Sequence, residues 1–175
     1  MGAPQQYRLT APIIYIHRGD LAWNHAKAGK DIEEHEKDLE TKEGIEYLMG
    51  LHPLRFYLEG FSRYDIGSSP AKEYLKDGEE PILWKLRRLK IEELEDCKAL
   101  IEMSRPLVAF RKAFCIGIKG VEGLPGSEDL NWGKLKNSDL EKLQEMGIPL
   151  QWMYDIGEAV VKASGDITDF EKKIS

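Results

Sequence analysis

The stretch Pro81–Ser104, PILWKLRRLKIEELEDCKALIEMS, decides how the rest of the chain is read. Its first apolar residues, Ile82, Trp84 and Leu86, fall on alternate positions, the period of a half-buried strand. From Ile91 the spacing changes to three and four, through Leu94, Cys97 and Ile101, the period of an amphipathic helix. Strand and helix therefore follow each other with almost no loop. Lys85 and Arg87 lie on the strand face opposite Trp84 and Leu86 and, with Arg88 and Lys90, form a basic cluster.

Downstream of this unit the chain reads as helices joined by tight turns. Ser104 and Pro106 are expected to cap and begin a helix with a buried stripe of Leu107, Phe110, Phe114 and Ile118, flanked by Val108 and Cys115. The glycine-rich segment Val121–Lys136 reads as a long loop pinned by Trp132. Ser138 with Glu141 three residues later has the spacing of a capping box, ahead of a face of Leu140, Leu143 and Met146. A last helix starts at Pro149, buries Leu150, Met153, Ile156 and Val160, and is expected to stop at Ser164-Gly165, with Thr168 capping a final turn.

Upstream, Tyr7–Ile16 reads as strand broken near Pro12, and Leu54, Phe56 and Leu58 as a second strand. Ser69 is expected to cap a short helix at Ala71–Leu75, and Ala22–Lys30 reads as a loop or loose helical turn. His17-Arg18-Gly19-Asp20 closes the first strand as a turn. The RGD tripeptide inside it reads as a chance turn rather than an integrin ligand. The fold class is α+β: a small N-terminal antiparallel sheet with a mainly helical C-terminal half. It forms one domain over 1–175, with the sheet and an acidic helix in 1–90 and helices in 91–175.

Charge is distributed unevenly. Asp31–Glu46 carries eight acids against Lys37 and Lys42, which equals the chain's whole net charge of −6. With the remainder neutral on balance, binding to nucleic acid through a basic field is disfavoured. The acidic helix has only Ile32 and Leu39 for an apolar face, so it is either a solvated face or a docking surface. Glu33, Glu34 and Glu36, set against Lys85, Arg87 and Arg88, are the candidate partner-binding residues.

Chemistry is harder to find. No phosphate-binding glycine loop, dinucleotide fingerprint or nucleophile elbow occurs in the chain. His25, Glu33, Glu34 and His35 could be written as a metal set, but adjacent helical residues diverge, so no metal or cofactor is expected. Cys97 and Cys115 read as packed thiols of a reducing compartment. No run of about 20 apolar residues could span a bilayer. Met1–Gln6 lack the basic start and apolar centre of a secretion signal.

The layout of residues 79–175 resembles small proteins of tailed bacteriophages, the tail-assembly chaperones and minor tail or neck proteins. The likeness is carried by the Glu-Glu-Pro lead-in, ILWKLRRL, IEELEDCKALIEM, AFRKAFCIGIKGVEGLPG, NSDLEKLQEMG, a helix ending AVVKAS, and the tail DITDFEKKIS. The resemblance implies a structural or assembly protein of a tail, neck or baseplate, working in the virion or the host cytoplasm. It implies contacts with other phage structural proteins or with copies of itself, and no active site. The competing expectation is a small cytosolic enzyme or regulatory protein whose site is assembled from residues far apart in sequence.

Overall fold

A computed structural model describes residues 13–36, 54, 57–58, 60–62 and 73–174, the side chains of 35–36, 61–62 and 166–174 excepted. Four strands, β1 (Ile13–Tyr15), β2 (Phe61–Ser62), β3 (Leu83–Leu86) and β4 (Ile118–Glu122), form one antiparallel sheet in the order β2-β1-β3-β4. The five described helices are α1 (His25–Glu36), α2 (Ile91–Glu102), α3 (Pro106–Gly117), α4 (Asn137–Glu145) and α5 (Leu150–Ile174). The class is α+β, as the sequence patterning implies.

Strand alternation places the two faces of the sheet in two different cores. Ile13, Tyr15, Trp84, Leu86 and Ile118 pack with Leu94 and Cys97 of α2, Ala113 and Phe114 of α3, and Met153, Ile156 and Val160 of α5. Ile14 and Leu83 face the other way, onto a smaller core of Ile16, Trp23, Ala28, Leu54, Tyr57 and Tyr74. The register Ile14↔Lys85 and Tyr15↔Trp84 keeps each residue on the face its neighbour uses.

The abrupt change from β3 to α2 has a local cause. Glu93 accepts the Lys90 amide at 2.9 Å, which satisfies a free N–H at the helix start. The same carboxylate takes Arg87 through two parallel bonds, Nη1 to Oε1 at 3.0 Å and Nη2 to Oε2 at 2.9 Å. One side chain thus ties the strand exit to the first helical turn. These hydrogen bonds from Arg87 hold the Glu93 carboxyl below its ordinary pKa.

Several boundaries differ from the sequence reading. Ser104 ends α2 rather than capping α3: it has φ 60°, its amide bonds Ile101 O, and the Arg105 amide bonds Leu100 O. That is a Schellman closure with serine where glycine is usual. The buried face of α3 is Ala109, Ala113, Phe114 and Gly117, while Leu107 is exposed and Phe110 half-buried. Small residues face α5 so that the two helices approach closely: a Cβ on Gly157 would lie 1.9 Å from Phe110 O, and one on Gly117 2.5 Å from Val160.

The expected loop at Val121 is instead the end of β4, although Trp132 does pin the turn that follows, donating Nε1 to Ser127 O at 2.8 Å. α4 is closed by Asp139, which accepts the Lys136 amide at 2.9 Å, so Ser138 is not the cap. α5 runs unbroken through Ser164-Gly165, because Ser164 Oγ donates back to Val160 O at 2.7 Å and accepts the Leu89 amide at 2.9 Å. α1 begins earlier than expected, where Asn24 Oδ1 takes the Lys27 amide.

Nearer the N-terminus, β2 lies at Phe61–Ser62, beyond the expected second strand, and Leu54, Tyr57 and Leu58 have helical backbone. Leu75 pairs with Trp23 as an isolated bridge rather than ending a helix. The readings at 7–12, 37–53 and 63–72 lie outside the described residues.

Candidate functional site

The chain leaves β1 at Tyr15 and turns over His17-Arg18-Gly19-Asp20, with the Asp20 amide bonding His17 O at 3.0 Å. Asp20 itself is buried. Its Oδ1 accepts the Ala22 amide at 3.0 Å and its Oδ2 the Ile82 amide at 2.9 Å, so the RGD aspartate is consumed in holding the turn to the lead-in of β3. Arg18 donates Nη2 to the carbonyls of Tyr57 and Leu58 and lies 3.9 Å over the Tyr57 ring. Trp23 Nε1 donates to His17 O at 2.9 Å.

His17 reaches from this turn to α5. The Gly19 amide donates to its Nδ1 at 2.9 Å, so Nδ1 is an acceptor and the proton of the neutral ring sits on Nε2. Nε2 then donates to Asp155 Oδ2 at 2.8 Å. Gln151 Nε2 donates to the other oxygen, Oδ1, at 2.9 Å. The imidazole stacks on Trp152 with centroids 4.1 Å apart and planes at 18°. Burial lowers the His17 pKa, and the hydrogen bond and charge of Asp155 only partly oppose it. The ring is held neutral in one tautomer.

A pocket of about 230 Å³ opens beside this pair. Tyr15, His17 and Arg18 form one wall, and α5 supplies the other. Asp155, Glu158, Ala159 and Lys162 share one helical face there, at spacings of three, four and seven. Lys162 Nζ lies 3.2 Å from Glu158 Oε1. The Tyr15 side chain is 7% exposed, and its hydroxyl has no hydrogen-bond partner among the described residues. Burial, then the charges of Asp155 and Glu158, push its pKa well above the ordinary tyrosine value, Arg18 opposing, so it stays a protonated donor.

The residues singled out from sequence lie elsewhere. Lys85 Nζ pairs with Glu122 at 2.6 Å across β3 and β4, and Arg87 is taken by Glu93. Arg88 is half-buried. Glu33 and Glu34 are exposed on α1, the Glu36 side chain is not described, and residues 37–46 of the acidic run lie outside the described part. Lys85 and Arg87 are thus engaged by carboxylates of their own neighbourhood, and neither of these two ion pairs involves α1. Cys97 and Cys115 are free thiols, both pushed up in pKa by burial.

Among the described residues, no group of three or more His, Cys, Asp and Glu side chains converges as a metal site requires, and no helix is long and apolar enough to cross a membrane. The pocket residues were invisible to motif reading because His17 and Asp155 stand 138 positions apart. One faint signal existed: Asp155, Glu158 and Lys162 make a polar stripe beside the apolar face of α5. Compared with protein families, curated proteins and solved structures, the chain matches none.

Proposed function

We propose that this chain is an architectural or assembly protein that acts through protein contacts and does no catalysis, in the setting its resemblance implies, the tail, neck or baseplate of a tailed bacteriophage. The observation that carries the reading is the corner between α2 and α3. Ile101 is 36% exposed, Met103 67% and Leu107 51%, within seven residues of chain held rigid by the Schellman closure at Ser104. A grouped apolar surface on a fixed corner is the form that contact surfaces take, because burying it against a partner releases water at little conformational cost. The partner is a neighbouring structural protein of the particle.

His17 supports the same reading from the other side. A general base needs a free ring nitrogen within reach of its substrate. Both nitrogens of His17 are committed, one to the Gly19 amide and one to Asp155. The pair fastens β1 to α5.

The test is mass spectrometry of purified particles and assembly intermediates from cells carrying the gene, with the double variant Met103→Glu, Leu107→Glu beside the parent. The expected result is the parent chain bound to particle or tail subunits, and loss of that association in the variant at an unchanged melting midpoint. A chain found with neither particles nor subunits would refute the proposal, as would a double variant that associates normally.

A further inference from the structure

The Tyr15 hydroxyl opens onto the pocket and has no hydrogen-bond partner among the described residues. Its ring is packed under Gly60, where a Cβ would come within 2.6 Å of Tyr15 Cε2, so the side chain is fixed in place. A donor fixed at the pocket wall with no protein acceptor is available to a ligand that supplies one.

The charges around that donor define what such a ligand must carry. Arg18 and Lys162 are cationic, Asp155 and Glu158 anionic, so the pocket lining carries both signs and is neutral overall. Arg18 is anchored through Nη2 to two carbonyls, and its other N–H groups have no hydrogen-bond partner among the described residues. A simple anion would meet the carboxylates of Asp155 and Glu158, and a simple cation would meet Arg18 and Lys162. Like charges brought together in a partly desolvated site exclude both. A volume of about 230 Å³ also lies below the range that drug-sized ligands occupy, roughly 300–1,000 Å³.

We infer that the pocket binds a small zwitterion of amino-acid size, its carboxylate accepting the Tyr15 hydroxyl and facing Arg18 and Lys162, its ammonium facing Asp155 and Glu158. Such a molecule would bridge the end of β1 to α5 alongside the His17–Asp155 bond. The inference does not depend on the assembly role, since a binding site is needed for neither particle contact nor its loss.

The full-length protein would be titrated with each of the common L-amino acids at millimolar concentration, followed by calorimetry and by tryptophan fluorescence, for which Trp152 on His17 is a reporter. Acetate and methylammonium serve as the single-charge probes. At least one amino acid is expected to bind saturably while both single-charge probes fail. Tyr15→Phe, which removes only the unpartnered hydroxyl, is expected to weaken that binding about tenfold, the worth of one hydrogen bond. Lys162→Ala, at a more exposed side chain, is expected to weaken it less and provides a second variant should Tyr15→Phe fold poorly. Failure of every amino acid to bind would overturn the inference. So would equal binding of acetate or methylammonium, or affinities that neither substitution changes.

Discussion

Gly157→Ala should destabilise the protein, although alanine is the better helix former. In an isolated helix the change would gain about 0.8–1 kcal/mol. Here the added Cβ would sit 1.9 Å from Phe110 O and 2.6 Å from Phe110 C, both backbone atoms of α3 that no side-chain rotation can move aside. The helices must separate, opening the contact where Ala113, Gly117 and Val160 lie buried. Forcing an extra methyl into a packed interior costs about 1–3 kcal/mol, and the rigid backbone neighbour puts this site at the upper end. Net of the propensity gain, a loss of about 2 kcal/mol is expected, or about 4–8 °C in melting midpoint for a chain of this size. Gly165→Ala in the same helix is the control, because its Cβ would meet nothing within 4 Å. It should stabilise by about 0.5–1 kcal/mol. Thermal and urea melts of the two variants should move in opposite directions. If Gly157→Ala also raises the midpoint, the close crossing of α3 and α5 is wrong.

Ser104→Gly relieves a non-glycine residue at φ 60° and should stabilise by about 0.5–1 kcal/mol, read from the urea midpoint at unchanged m-value. Asp139→Ala removes the carboxylate that accepts the Lys136 amide and should cost about 0.3–1.5 kcal/mol, whereas Ser138→Ala should stay within about 0.5 kcal/mol. The reverse ranking would restore Ser138 as the cap. His17 should make stability depend on pH. Its folded pKa lies below the ordinary 6.5, so between the two values the unfolded chain holds more protons. The contribution is complete above about 6.5 and is lost as pH falls through the lower folded value. Melts between about pH 5 and 8 should show that loss in the parent and a flatter profile in His17→Gln.

Local signals carried the fold class, and contacts distant in sequence decided the rest. Period two at Trp84 and Leu86 and period 3.6 from Leu94 were legible because each element buries one face. The orientation of α3 was not, since large apolar residues drew attention from Ala109, Ala113 and Gly117, whose value lies in letting another backbone approach. Ser164-Gly165 has the composition of a stop, but Ser164 finds an acceptor inside its own helix and a donor at Leu89, 75 positions away. Ser138 and Asp139 are both competent caps by type, and only the backbone geometry at Lys136 selects between them. The pocket was hidden for the same reason as the α3–α5 crossing. Tyr15, His17 and Asp155 have meaning only once β1 lies against α5.

The reading of this site as non-catalytic rests on His17 being a fixed, neutral strut between β1 and α5. Nitrogen-15 NMR of the histidine side chains tests this directly, because protonated and unprotonated ring nitrogens resonate far apart. The structure predicts an unprotonated Nδ1 and a protonated Nε2 for His17 at neutral pH, with the ring taking a second proton only below the ordinary imidazole value. A His17 that carries its proton on Nδ1, or that titrates freely near the ordinary imidazole value, would contradict the account and return the ring to the list of available bases.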